Sequence, residues 1–132
     1  MYDQVSMLRV SYWVGAFLDA VVGIMMVFPA LFKIIYGSGF MVVTQEFRYA
    51  MGMGAPLMFG WTVLLIWADR KPIQRKGILI ITVFPVIIGL FINEIYSIMS
   101  GLISFRIILP TLILQIILMI LFTYSYLNAQ SR

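Results

Sequence analysis

Four long apolar stretches separated by short polar connections make up almost the whole chain. They cover residues 10–32, 47–67, 78–99 and 102–127. Each has about the 20 residues that a helix needs to cross the roughly 30 Å hydrocarbon core of a bilayer. The stretches are continuously apolar instead of alternating, which favours helices over barrel strands. The pattern predicts an all-α integral membrane bundle of four transmembrane helices in two antiparallel hairpins, forming one domain over residues 1–132.

Proline, glycine and serine mark the interruptions of this pattern. Turn-forming residues at 36–39 follow the first stretch, residues 40–46 suggest a short interfacial segment, and Ser100-Gly101 predicts a very tight turn. Each apolar stretch also carries one proline: Pro29, Pro56, Pro85 and Pro110. Two interpretations are open. Either neighbouring helices satisfy the backbone groups that proline frees, or four kinks open a cavity inside the bundle.

The composition excludes several classes of protein. Apolar residues make up 63% of the 132 residues and charged residues 11%, a balance that a small water-soluble domain does not accommodate. The chain has no cysteine and no histidine. This removes the usual ligands of zinc, copper and iron–sulfur clusters, together with the catalytic schemes that depend on those side chains. We therefore expect no cofactor, no metal site, no catalytic residues and a role other than catalysis.

The densest run of charge is the connection at residues 69–77, DRKPIQRKG. With four crossings, both termini lie on the same side as this connection. That side then carries six cations against three on the other: Arg9, Arg70, Lys71, Arg75, Lys76 and Arg132 against Lys33, Arg48 and Arg106. Cytoplasmic loops are enriched in Lys and Arg, so we predict a protein of the cell membrane with the connection and both termini in the cytoplasm. The cations form no continuous basic face, and no nucleic-acid partner is expected.

Asp19 is the first candidate for chemistry, because it lies close to the middle of the membrane. It follows the start of its stretch by nine residues, which is about 14 Å of helix. No Lys or Arg is expected at this depth. Gln115 is expected there and would donate a hydrogen bond to Asp19, and Thr111 lies one turn before Gln115 on the same face. Tyr12 and Trp61 are the aromatic residues expected to line a cavity beside it. Asp19 is then a proton carrier, a cation site or a hydrogen-bond donor to a ligand, or else a protonated residue that only holds helices together.

Glu94 is the second acid within an apolar stretch. It stands six residues before Ser100, and Arg106 stands five residues after Gly101. Positions equidistant from a tight turn meet at similar depth in an antiparallel hairpin. We therefore predict a structural ion pair between Glu94 and Arg106 that ties the third helix to the fourth. Loss of either partner would leave an unpaired charge in an apolar environment.

Small residues at four-residue intervals indicate where helices approach each other. Gly15, Asp19 and Gly23 share one face of the first helix, and Gly52, Pro56 and Gly60 show the same interval in the second. Such spacing allows close packing of membrane helices, so we expect these two faces to meet. Ten methionines are present, and Met51, Met53 and Met58 are candidates for an adaptable pocket wall.

Three functional hypotheses follow, and the third, an enzyme that acts on a lipid or quinone, has only the two carboxyls in its favour, since the sequence shows no nucleophile–base constellation. In the first, the protein binds or transports a small cationic or amphiphilic molecule at Asp19. In the second, it is a structural or accessory membrane subunit whose buried polar residues only hold helices together. Its partners are then the lipid bilayer and either a small ligand, a second copy in a homodimer or another membrane protein.

Overall fold

The computed structural model describes residues 2–37 and 42–129, and all regular secondary structure in these two ranges is helical. The long helices are α1 (Tyr2–Val27), α3 (Gln45–Asp69) and α6 (Phe105–Asn128). The third apolar stretch consists of α4 (Gly77–Ile81), a wide turn (Thr82–Ile87) and α5 (Ile88–Met99), and a short helix, α2 (Ala30–Tyr36), follows α1. Four helical segments are long and apolar enough to cross a membrane, which agrees with the predicted helical membrane class.

The first span differs most from its predicted bounds. Residues 10–32 were expected to form one helix after a polar lead, but α1 already begins at Tyr2 and ends at Val27. Pro29 then precedes a separate helix, α2, because proline fits the first turn of a helix and not its interior. The predicted turn at 36–39 and interfacial segment at 40–46 fall partly on residues 38–41, which lie outside the described residues. Arg132, which entered the charge count, lies outside them as well.

The connection between the third and fourth spans is longer than predicted. The chain turns at Gly101, which has a φ of 71°, a left-handed conformation that glycine adopts without steric cost. Helix α6 begins only at Phe105, three residues later than the predicted start at 102. The expected tight turn at Ser100-Gly101 is therefore a loop that continues to Ser104.

The four prolines of the spans do not act alike. Pro56 and Pro110 lie inside continuous helices, as expected where neighbouring groups compensate for the missing donor. Pro29 separates α1 from α2, and Pro85 lies in the wide turn, where Phe84 has φ −125° and ψ 108°. Two prolines thus interrupt helices and two are tolerated, and the wide turn borders the cavity described below.

The helices contact one another mainly in two groups. Helix α1 packs along α3, and α6 packs against α4, the wide turn and α5, while α1 also contacts α6. The glycine faces meet only in part. A Cβ atom at Gly15 would lie 2.9 Å from Leu65 Cδ1, and one at Gly23 would lie 2.9 Å from Phe59 Cε1, whereas Gly52 and Gly60 face open space. The close approach therefore comes from both glycines of α1 and, on α3, from Gly54, where an added Cβ would lie 3.2 Å from Met26 Cε.

Contacts at one end of the bundle join α1, the connection at 69–77 and the end of α6. Arg9 Nε lies 3.7 Å from Asp69 Oδ1, and Trp13 Nε1 donates a hydrogen bond to Asp69 Oδ2 at 3.3 Å. Lys76 Nζ donates to the carbonyl of Ala129 at 2.8 Å. The guanidinium of Arg75 lies 3.3 Å from the centroid of the Trp67 ring. These contacts hold the basic connection against both chain ends, and we call this region the basic end.

The outer surface of the bundle is strongly apolar. Large hydrophobic side chains are exposed along the long helices, among them Phe17, Leu57, Val63, Ile92 and Ile120. A water-soluble monomer rarely exposes contiguous apolar surface of this kind. Together with the span lengths, this surface is compatible with a membrane protein.

Candidate functional site

A cavity of about 380 Å³ lies inside the bundle, and side chains from every long helix and from α2 line it. Methionines and aliphatic residues form most of its wall. Met51 and Met58 take part as expected, whereas Met53 is exposed on the outer surface. The polar groups facing the cavity are few: Asp19, Tyr36, Thr82, Glu94, Thr111 and Gln115. Such a lining, largely apolar with a small number of convergent polar groups, is typical of a small-molecule site.

Asp19 faces this cavity from the face of α1 that also carries Gly15 and Val22. Its Oδ2 atom is buried and accepts no hydrogen bond from the described residues. The expected hydrogen bond between Asp19 and Gln115 is absent from the described contacts, since the Gln115 amide points to another acid. Buried polar atoms usually have a hydrogen-bond partner. The Asp19 carboxyl can therefore accept a hydrogen bond from a ligand in the cavity.

Glu94 is paired with Gln115 and not with Arg106. Gln115 Nε2 donates a hydrogen bond to Glu94 Oε1 at 3.1 Å, and Arg106 is exposed in the first turn of α6. Within the described residues the ion pair lies instead at the basic end. The prediction of a Glu94–Arg106 pair assumed a chain reversal at Ser100-Gly101. The longer loop displaces α6 along its axis, so positions equidistant from those two residues do not meet.

Three buried oxygen atoms of the cavity accept no hydrogen bond from the described part of the protein: Asp19 Oδ2, Glu94 Oε2 and Gln115 Oε1. All three residues line the same cavity, and its described lining contains neither Lys nor Arg. A carboxylate only accepts hydrogen bonds, as does an amide oxygen. The site therefore offers acceptors and negative charge, which suit a ligand that carries donors and positive charge. Among the described residues, no group of three acidic or histidine side chains is placed to hold a metal ion.

Thr111 lies on this wall, one turn before Gln115, as its spacing predicts. Its hydroxyl donates a hydrogen bond to the carbonyl of Ile108 at 2.7 Å. The oxygen keeps acceptor capacity toward the cavity, since a hydroxyl has one donor hydrogen and two lone pairs. Thr111 thus adds a hydroxyl group to the polar lining beside Glu94 and Gln115.

Tyr12 and Trp61 do not line the cavity, contrary to the expectation from the sequence. Tyr12 is fully buried near the basic end, and its hydroxyl donates to the carbonyl of Pro72 at 3.1 Å. Trp61 Nε1 donates to Thr82 Oγ1 at 3.1 Å, which ties α3 to the wide turn. Both aromatic residues use their polar atom to join elements of the bundle, because a buried Tyr or Trp needs a hydrogen-bond partner for that atom.

Two aromatic residues of α2 face the cavity and were missed by sequence reasoning. Phe32 and Tyr36 both line it, although hydropathy placed Phe32 at the end of a span and Tyr36 in a turn. Burial raises the pKa of the Tyr36 phenol, and the negative charge of Glu94 raises it further. A break at Pro29 and a turn after Tyr36 were the available signals that these residues form a separate helix.

Comparison of the chain with protein families, curated proteins and solved structures found no match. The chemistry of the cavity is therefore the basis for a functional assignment.

Proposed function

We propose that this is a small integral membrane protein that binds a small cationic or amphiphilic molecule in the cavity beside Asp19. The observation that carries the proposal is the group of three buried acceptor oxygens, from Asp19, Glu94 and Gln115, which face one largely apolar cavity whose described lining contains no Lys or Arg. Placing two acidic side chains inside the membrane costs free energy. A cationic ligand would offset that cost, and its apolar part would fit the methionine-rich wall.

The proposal gives Asp19 and Glu94 different tasks. Glu94 is already oriented by the hydrogen bond from Gln115, whereas Asp19 keeps a buried oxygen without a described donor. Asp19 would therefore make the charge-assisted hydrogen bond to the ligand. Bonds of this kind contribute about 1.5–3 kcal/mol, which corresponds to roughly 10- to 150-fold in affinity.

The test compares binding of benzamidinium, a small amphiphilic cation, to native protein and to the Asp19→Asn variant in phosphatidylcholine nanodiscs. The variant keeps size and hydrogen-bonding capacity but loses the ionisable group. We expect affinity to fall by about 10-fold or more, with stability little changed. Asp3→Asn is the matched control, since Asp3 is an exposed acid at the start of the same helix. Equal affinity in native protein and Asp19→Asn would contradict the proposal.

We further propose that the protein resides in the cell membrane with the basic end in the cytoplasm. The support is the clustering of cations in the connection at 69–77, which contacts both chain ends, and the positive-inside bias. Because the chain has no cysteine, single cysteines are clean probes. In intact cells an impermeant maleimide should label Ser100→Cys and not Gln74→Cys. The reverse pattern would invert the orientation.

A second candidate function is a structural or accessory subunit. The observation that favours it is the set of polar bonds between helices: Ser11 and Ser125 hydroxyls lie 2.8 Å apart in the core, and Gln115 binds Glu94. The exposed apolar surface would then contact a membrane partner or a second copy. If this candidate is correct, Asp19→Asn lowers stability or assembly, and native protein binds no small cation.

A further inference from the structure

The short helix α2 places two aromatic rings in the wall of the cavity. Phe32 and Tyr36 are four residues apart and therefore lie on the same face of α2. Their ring centroids are 6.2 Å apart and the rings are inclined by only 16°. Phe47, at the start of α3, meets Phe32 edge-on at 6.3 Å. The two rings are thus held in place as one wall of the site.

Glu94 lines the same cavity as Phe32 and Tyr36. Its carboxylate acts on the Tyr36 phenol, whose pKa is raised first by burial and then by the charge of Glu94. Such an effect requires proximity, because Coulomb interactions weaken with distance and are screened by water. Two rings and one carboxylate therefore line one cavity, and the carboxylate is near enough to act on one of the rings.

We propose that the charged group of the ligand is an organic ammonium, held between the Glu94 carboxylate and the rings of Phe32 and Tyr36. The inference rests on the proposed function and narrows its ligand class. Ring faces carry negative electrostatic potential and attract ammonium groups, most strongly where water is excluded. A bare metal cation would instead require a nearly complete shell of oxygen ligands, which rings do not supply. The rest of the ligand extends along the methionine-rich wall toward Asp19, whose carboxylate accepts a hydrogen bond from a donor group at that end.

A matched pair of ligands isolates the contribution of the positive charge. Benzyltrimethylammonium and neopentylbenzene have the same shape, because a carbon atom replaces the nitrogen. Binding of radiolabelled benzyltrimethylammonium to native protein in phosphatidylcholine nanodiscs is measured directly, with neopentylbenzene as the competitor and empty nanodiscs as the background. We expect the ammonium compound to bind at least about 10-fold more tightly than its neutral counterpart.

Substitutions in α2 then test the aromatic wall. Phe32→Leu and Tyr36→Leu keep an apolar side chain but remove a ring, and each should weaken ammonium binding by about 5- to 30-fold. Tyr36→Phe keeps the ring and should bind within about twofold of native protein, since a phenyl face also attracts cations. Phe28→Leu is the control, because Phe28 is an exposed aromatic residue beside α2 that does not line the cavity.

The outcomes separate this inference from the proposed function. If neopentylbenzene competes as well as the ammonium compound binds, or if the two leucine variants retain native affinity, the ammonium inference is overturned while a cavity ligand stands. If neither benzyltrimethylammonium nor benzamidinium binds native protein, the proposed function falls and the inference falls with it. The comparison of the two ligands needs only native protein, so it holds even where a leucine variant does not fold.

Discussion

Gly15 is the position where one added methyl group should perturb the bundle most clearly. A Cβ atom there would lie 2.9 Å from Leu65 Cδ1 and 3.1 Å from Phe122 Cζ. Both distances are shorter than ordinary carbon–carbon contacts of about 3.5–4.0 Å. Leu65 is 0% exposed and is not among the residues that line the cavity, so this side chain has no open space into which it can move. The contact joins α1 to α3 and α6 at once.

The expected loss of stability follows from comparing the glycine-to-alanine substitution at two positions. Overpacking of a well-packed core costs about 1–3 kcal/mol, whereas replacing a helical glycine by alanine contributes about 0.5–1 kcal/mol of stability. Gly60 lies within α3 with nothing within 4 Å of an added Cβ. The helix contribution is common to both positions and cancels. We therefore expect Gly15→Ala to be less stable than Gly60→Ala by about 1–3 kcal/mol.

Gly23→Ala should fall between these two variants. Its added Cβ would lie 2.9 Å from Phe59 Cε1, as close as the contact at Gly15. Phe59 is 37% exposed, however, and an exposed ring can rotate away at a smaller cost than a buried one. The order of stability expected is Gly60→Ala, then Gly23→Ala, then Gly15→Ala.

The assay is reversible unfolding in mixed micelles, driven by increasing sodium dodecyl sulfate and followed by far-ultraviolet circular dichroism. The free energy of unfolding is compared between variants at the same micelle composition. Equal stability of Gly15→Ala and Gly60→Ala would refute the packing of α1 on α3 and α6 described above. Greater stability of Gly60→Ala than of native protein is the internal check that the alanine itself favours the helix.

Three further predictions concern polar groups. A double-mutant cycle on Ser11→Ala and Ser125→Ala, read in the same unfolding assay, should give a coupling of about 0.6–1.7 kcal/mol; no coupling would mean that the two hydroxyls do not bond. Tyr12→Phe should cost about 1 kcal/mol of stability, because it removes one hydrogen bond, and should leave benzamidinium affinity unchanged, since Tyr12 does not line the cavity. The phenol of Tyr36 should ionise at a pH above that of an ordinary tyrosine, as its raised pKa requires. Glu94→Gln should lower the pKa of Tyr36 only in part, because burial is the larger cause of the shift. The measurement is the phenolate absorbance of each protein minus that of its Tyr36→Phe counterpart. An unchanged pKa in Glu94→Gln would show that the Glu94 charge does not reach the ring.

Properties that depend on one segment alone were predictable. The length and continuous apolarity of each stretch predicted four long helices, and the second was predicted at 47–67 against Gln45–Asp69 in the structure. The first stretch was harder, since hydropathy continues past Val27 while Pro29 ends the helix. Two local signals competed there, and the steric demand of proline prevailed over apolarity.

Partners of the buried polar groups were not predictable in the same way. Glu94 was assigned to Arg106 by counting from a turn, yet it bonds to Gln115. Tyr12 was assigned to the cavity, yet it bonds to a carbonyl of the basic end. Each assignment depended on helix rotation and loop length, and a continuously apolar helix carries little periodic signal to indicate which face is turned inward.

The sequence by itself determined that this chain is helical and that it suits a lipid environment. It also determined that Asp19 and Glu94 are the acids whose burial in the membrane costs free energy. These are properties of single segments and side chains, because they depend only on helix length and on the cost of burying a charge. Only the tertiary structure decided that these two acids share one cavity with Gln115, and that α2 folds back to add Phe32 and Tyr36 to the wall. The physical reason is that a shared cavity depends on how helices are rotated and crossed relative to one another, and that geometry arises from packing among all of them.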